Sequence, residues 1–109
     1  MTKIAKIDIS YNEMKSLVID SIIQYSGSFQ FANLCVTVAN NAVDKKVVED
    51  PLGTNNKNRN FYLQEADEKK IQIIIEDLIT EDFLKIGNYE VQSRPYYSFT
   101  KKGLHLLQQ

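Results

Sequence analysis

The chemistry on offer in this sequence is charge and hydrogen bonding, not bond making. His105 and Cys35 are the single histidine and the single cysteine, and by spacing they form neither a zinc ligand set nor a nucleophile with its base. Glycine stands isolated at 27, 53, 87 and 103, which leaves no loop of the kind that cradles phosphates. Enzymatic activity, a cofactor and a bound metal are therefore not expected. What the chain does hold is a set of donors: Lys57, Arg59, Lys69, Lys70, Gln72, Arg94, Lys101 and Lys102. Cations of this kind neutralise phosphates, and a glutamine amide matches the donor and acceptor on an adenine edge. Taken singly, each is ordinary solvated surface, so the set has meaning only if the fold brings its members to one side.

The net charge of −1 over 109 residues does not announce a polyanionic partner. Its distribution is uneven. Residues 1–60 carry seven basic and six acidic side chains, residues 61–84 two and seven, and residues 85–109 four and one, or +1, −5 and +3. The basic C-terminal block consists of Lys85, Arg94, Lys101 and Lys102, opposed by Glu90 alone. Hydrophobic residues make up 43% of the chain, enough for one compact core, so a single domain over residues 1–109 is expected. No apolar run approaches the roughly 20 residues of a membrane span. The start, Met1-Thr2-Lys3-Ile4-Ala5-Lys6-Ile7-Asp8, alternates instead of forming a signal-peptide apolar region. A cytoplasmic location is expected, and Cys35, beside Leu34, Val36 and Val38, reads as a buried structural thiol.

The elements that must position these donors are clearest over residues 66–109. Ile71, Ile74, Ile75, Leu78 and Ile79 fall at i, i+3, i+4, i+7 and i+8, the stripe of a one-sided core helix. The period then changes. Phe83-Leu84-Lys85-Ile86 and Tyr96-Tyr97-Ser98-Phe99 are β-rich runs bounded by Gly87-Asn88 and Arg94-Pro95, which predicts a hairpin. Thr100 then caps a short closing helix carrying Leu104, Leu106 and Leu107.

Towards the N-terminus, residues 1–9 read as a short strand or as an arm laid across a partner. Ser10-Tyr11-Asn12-Glu13 is a capping box, with Ile9 and Met14 at the staple positions around it. It opens a helix over about residues 11–25 with Tyr11, Met14, Val18, Ile22 and Tyr25 on its stripe, ending at Ser26-Gly27. Ser28-Phe29-Gln30-Phe31 suits a short strand. Residues 32–42 are ambiguous: Leu34, Val38 and Ala42 fit a helix, whereas Cys35-Val36-Thr37-Val38 has the β-branched density of a strand. Helix is favoured because it completes a trihelical order. Residues 44–62 form a long polar connector containing Asp50-Pro51-Leu52-Gly53 and Thr54-Asn55-Asn56-Lys57-Asn58-Arg59-Asn60.

This order resembles the winged helix-turn-helix superfamily of small prokaryotic-type transcription regulators. The echo is strongest in Tyr96-Tyr97-Ser98-Phe99-Thr100-Lys101-Lys102-Gly103-Leu104, which is similar to the strand and "(Leu/Phe)-Thr-x-x-Gly" that close the wing, and in Ile74-Ile75-Glu76-Asp77-Leu78-Ile79-Thr80-Glu81-Asp82-Phe83-Leu84, similar to a recognition helix entering the first wing strand. The resemblance implies an α+β fold with a three-helix core, a C-terminal β-hairpin wing and a short closing helix. It also implies double-stranded DNA as partner, with the third helix in the major groove, the wing on phosphates and a homodimer on a two-fold site.

On the third helix, with Ile71 at the centre of the buried face, about 100° per residue turns Glu65, Ala66, Lys69, Gln72, Ile73, Glu76 and Thr80 outward. Base readout would rest on Lys69, Gln72 and Lys70. Arg94, Lys101, Lys102, Lys57 and Arg59 would supply phosphate contacts. The acidic residues of the first turn also complement the helix dipole, and Ile73 suits contact with another protein. The alternative is therefore a winged helix adaptor that binds a protein partner through Ile73. The apolar termini, Ile4, Ile7, Ile9, Leu104, Leu106 and Leu107, suggest self-association.

Overall fold

The capping box at Ser10 closes as its spacing requires. The Glu13 amide donates to Ser10 Oγ at 3.2 Å, and the Ser10 amide to Glu13 Oε1 at 3.4 Å. From there the computed structural model, which describes residues 2–25, 28–51, 61–89 and 95–107, runs into helix α1, Tyr11–Ile22. The helix stops short of the expected Tyr25 because the Gln24 and Tyr25 amides bond only three residues back, to Ser21 and Ile22. Tyr25 still serves the core: its hydroxyl lies 2.7 Å from Thr37 Oγ1 and its ring 5.6 Å from that of Phe29. The expected glycine stop at Ser26-Gly27 lies outside the described residues.

The N-terminal residues are not a free arm. Strand β1, Thr2–Lys3, pairs in parallel with β3, Phe61–Tyr62. Ile4 and Ile7 are fully buried, which removes them from the set of apolar residues offered for self-association. Three bonds hold the segment down: the Ile4 amide to the Tyr62 carbonyl at 2.9 Å, Gln64 Nε2 to the Ile4 carbonyl at 2.8 Å, and the Ile7 amide to Asp67 Oδ2 at 3.0 Å.

Residues 32–42 are helical. Helix α2, Phe31–Asp44, buries Leu34, Cys35, Val38, Ala39, Ala42 and Val43, a helical spacing that outweighs the local β-propensity of Val36 and Thr37 because one apolar stripe is buried as a unit. Phe31 belongs to this helix and not to β2, Ser28–Gln30. α1 and α2 are joined by a satisfied polar contact, Asn41 Nδ2 to Ser21 Oγ at 2.8 Å. Helix α3, Glu65–Thr80, buries Ile71, Ile74, Ile75 and Leu78, as its stripe requires.

α3 ends in a Schellman motif: the Asp82 amide bonds to Ile79 and the Phe83 amide to Leu78, with Asp82 at φ 67°. Phe83 lies in this turn, outside the strand expected for it. Strand β4 is Leu84–Tyr89 and β5 is Pro95–Phe99, paired antiparallel from Leu84↔Phe99 to Ile86↔Tyr97, with an irregularity before Tyr89↔Pro95. β4 thus continues through Gly87 and Asn88, which were expected to end it. At Gly87 an added Cβ would lie 3.0 Å from the Tyr96 carbonyl oxygen, so a small residue suits the irregularity. β2 pairs with β5, Phe29 opposite Tyr97, giving a three-stranded antiparallel sheet in the order β2, β5, β4. Phe29, Tyr97 and Phe99 are core residues of this α+β domain.

The chain closes with α4, Lys101–Leu107. Thr100 Oγ1 accepts from the Gly103 amide at 3.0 Å, the capping bond expected of it, and donates to the Asp82 carbonyl. Gly103 is required by a close approach, since a Cβ there would lie 2.0 Å from the Phe83 carbonyl oxygen. The Thr-x-x-Gly spacing is thereby explained: the threonine caps the helix and the glycine lets it sit on the turn after α3. No helix among the described residues is long and apolar enough to cross a membrane.

Candidate nucleic-acid interface

The outer face of α3 carries the residues its period places there. Glu65, Ala66, Lys69, Ile73, Glu76 and Thr80 are exposed and Gln72 is half-buried. Lys69 stands 3.5 Å from Glu65 across one helical turn, an exposed pair of the i,i+4 type that contributes little to stability and leaves the ammonium accessible. Thr80 Oγ1 donates to the Glu76 carbonyl of its own helix.

Lys70 is turned towards α1. It lines a groove of about 180 Å³ with Ile9, Ser10, Tyr11, Met14, Ile73 and Ile74. Tyr11 was expected on the buried stripe of α1 but is 46% exposed, its hydroxyl donating to Asp77 Oδ2. That hydrogen bond, followed by burial and the nearby carboxylate charges, pushes its pKa up to about 12, so the hydroxyl keeps its proton. Ile73, 52% exposed, shares the groove with it.

Of the cations assigned to the wing side, Lys101 is exposed at the start of α4. Lys102 has a structural engagement as well. Its ammonium donates to the Glu81 carbonyl at 3.0 Å and sits 4.8 Å from the Phe83 ring centroid, so it covers one of the carbonyls left open at the end of α3. Arg94, Lys57 and Arg59 lie outside the described residues. Lys85, exposed on β4 opposite Ser98, is a further cation of the hairpin. The alternation of buried Leu84 with Lys85 was the signal that could have singled it out.

Asp67 plays a different part from its acidic neighbours. Its side chain is fully buried in the first turn of α3, Oδ2 accepting from the Ile7 amide while Oδ1 has no hydrogen-bond partner among the described residues. Cys35, 5% exposed, has its pKa pushed up to about 12 by burial and then by Glu68, so it is a neutral thiol. Among the described residues no three histidine, cysteine, aspartate or glutamate side chains converge as a metal site would require. No protein-family model, curated protein or solved structure matches the chain.

Proposed function

We propose that this domain is a winged helix that binds duplex DNA and serves as a small cytoplasmic transcription regulator. The observation that carries the reading is the sheet order. The strand between the first two helices is bonded to the returning strand of a hairpin that follows the third helix. This order sets the hairpin at the end of α3, and among the described residues Glu65, Lys69, Ile73, Glu76 and Thr80 on the outer face of α3 are exposed. A helix matches the roughly 12 Å width of the major groove. Seated there, α3 presents Gln72 and Lys69 to base edges, with Lys70 at the margin, while Lys85, Arg94, Lys101 and the spare N–H groups of Lys102 meet phosphates. Lys57 and Arg59 add charge from the connector.

A homodimer on a two-fold site goes with this reading. With Ile4 and Ile7 in the core, its contact falls to surfaces such as α4, where Leu104 is 43% exposed. Light scattering at roughly 50 µM should report twice the 12.6 kDa of one chain, and a monomer would contradict it.

The second reading, a protein-binding adaptor, is favoured by the exposed Ile73 and Tyr11, an aliphatic and an aromatic anchor side by side. Neighbouring substitutions separate the two. With DNA as partner, Gln72→Ala lowers discrimination between a preferred site and random duplex by about 1–3 kcal/mol and leaves nonspecific binding intact. With a protein as partner, Ile73→Glu abolishes capture and Gln72→Ala is silent.

A further inference from the structure

The flank of α3 opposite Lys70 carries a second groove, walled by the N-terminal half of α2, the end of β3 and the first turn of α3. Its volume is about 390 Å³, and Phe31, Cys35, Val36, Tyr62, Leu63 and Glu68 line it. Small-molecule sites fall at roughly 300–1,000 Å³, which includes this groove and excludes the 180 Å³ one beside α1. None of its lining residues belongs to the outer face of α3.

The lining is mostly apolar, with Asn33 as its neutral polar side chain. Phe31 and Tyr62 contribute aromatic rings, Val36 and Leu63 aliphatic surface, and Cys35 a thiol that stays protonated. The charged group is the carboxylate of Glu68, half-buried and without an ion pair or hydrogen bond among the described residues. Among the described residues no lysine or arginine lines the groove. A carboxylate that shares a groove with aromatic residues attracts a desolvated cation through its charge, and the rings add to this where their faces meet it; the same carboxylate repels anions. One carboxylate without further oxygen ligands is too few for a divalent metal.

We propose that this groove binds a small lipophilic organic cation, an amine or quaternary ammonium with an aromatic or branched aliphatic body, its positive centre at Glu68 and its body against Phe31 and Tyr62. Volume and charge both favour a small molecule. Because the site is separate from the DNA-facing residues, its failure would leave the DNA reading standing, and the reverse also holds.

The test is a titration of the full-length, isotope-labelled chain, followed by amide NMR, with benzyltrimethylammonium, benzyl alcohol and benzoate. Saturable shifts are expected at Phe31, Val36, Tyr62 and Glu68 with the cation, weaker ones with the alcohol and none with benzoate. Glu68→Gln should weaken the cation by about ten-fold and leave benzyl alcohol unchanged. A second variant, Val36→Lys, places an ammonium beside Glu68 and should abolish cation binding, with amide shifts remote from the groove reporting that each variant is folded. Benzoate binding as tightly as the cation, full affinity in folded Glu68→Gln, or no saturable shift at millimolar cation would each overturn the assignment. So would a lysine-containing dipeptide that binds more tightly than benzyltrimethylammonium, since it would give the groove to a protein side chain.

Discussion

The two faces of α3 obey different constraints although they belong to the same sixteen residues. On the inner face Ile71, Ile74, Ile75 and Leu78 are buried against the rest of the core, and their identity follows from the area they remove from water. On the outer face Lys69, Ile73, Glu76 and Thr80 are exposed and Gln72 is half-buried, so the fold places a much weaker demand on them. A residue that the fold does not need is where a functional choice is visible, and the choice here is mixed: a lysine and a glutamine suited to base edges, an isoleucine suited to a protein, and a glutamate that can accept from a cytosine amino group but repels phosphates. Perturbation of the inner face should therefore register as lost stability, and perturbation of the outer face as altered binding.

The largest effect is expected from the inner face itself. Ile75→Ala empties part of a fully buried site and should destabilise by about 2–5 kcal/mol in urea unfolding. A loss under about 1 kcal/mol would mean that the site collapses freely. Gly103→Ala follows, because its methyl group would overlap the Phe83 carbonyl oxygen. A loss of about 3 kcal/mol, at the upper end for overpacking, should appear in thermal melts together with altered amide shifts at Phe83 and Thr100. Asp67→Ala deprives the buried Ile7 amide of its acceptor and should destabilise by about 1–3 kcal/mol, with faster exchange at the Ile7 amide.

A smaller effect concerns Cys35. Its folded pKa lies above the ordinary thiol value of 9.0, at about 12, so the folded chain holds the thiol proton more tightly than the unfolded chain. The resulting stability is complete below about pH 9 and is lost as the pH rises towards 12. Urea unfolding of the parent chain should therefore weaken more between neutral and strongly alkaline pH than that of Cys35→Ala. Equal slopes would place the thiol in water. Gln72→Ala should change stability by less than about 0.5 kcal/mol, and a larger loss would show that the outer face has a structural duty.

The same contrast explains what was legible in the sequence. The stripe of α3, the capping box at Ser10 and the cap at Thr100 are local patterns, readable because each depends on residues within about two helical turns. At the N-terminus the sequence leaves a short strand and an arm as alternatives, because what decides between them is pairing and hydrogen bonding of residues 2–7 with residues some sixty positions away. Phe61 and Leu63, both core residues, were hidden at the end of a polar connector for the same reason. The outer face of α3 followed from the helical period, whereas the groove at Glu68 did not, since it requires knowing that the start of α3 lies against α2 and β3. The contact of Lys102 with the Glu81 carbonyl is likewise not legible in the sequence, because it depends on how α4 sits on the end of α3.

The most direct test of the central claim is fluorescence anisotropy of a labelled random-sequence duplex, titrated with the intact chain at about 50 mM salt and again at rising salt. The account predicts binding at low salt, with the logarithm of affinity falling linearly against the logarithm of salt concentration and the slope reduced by about one unit in Lys101→Ala. No rise in anisotropy at about 50 mM salt with roughly 50 µM protein would contradict it and give the outer face of α3 to a protein partner.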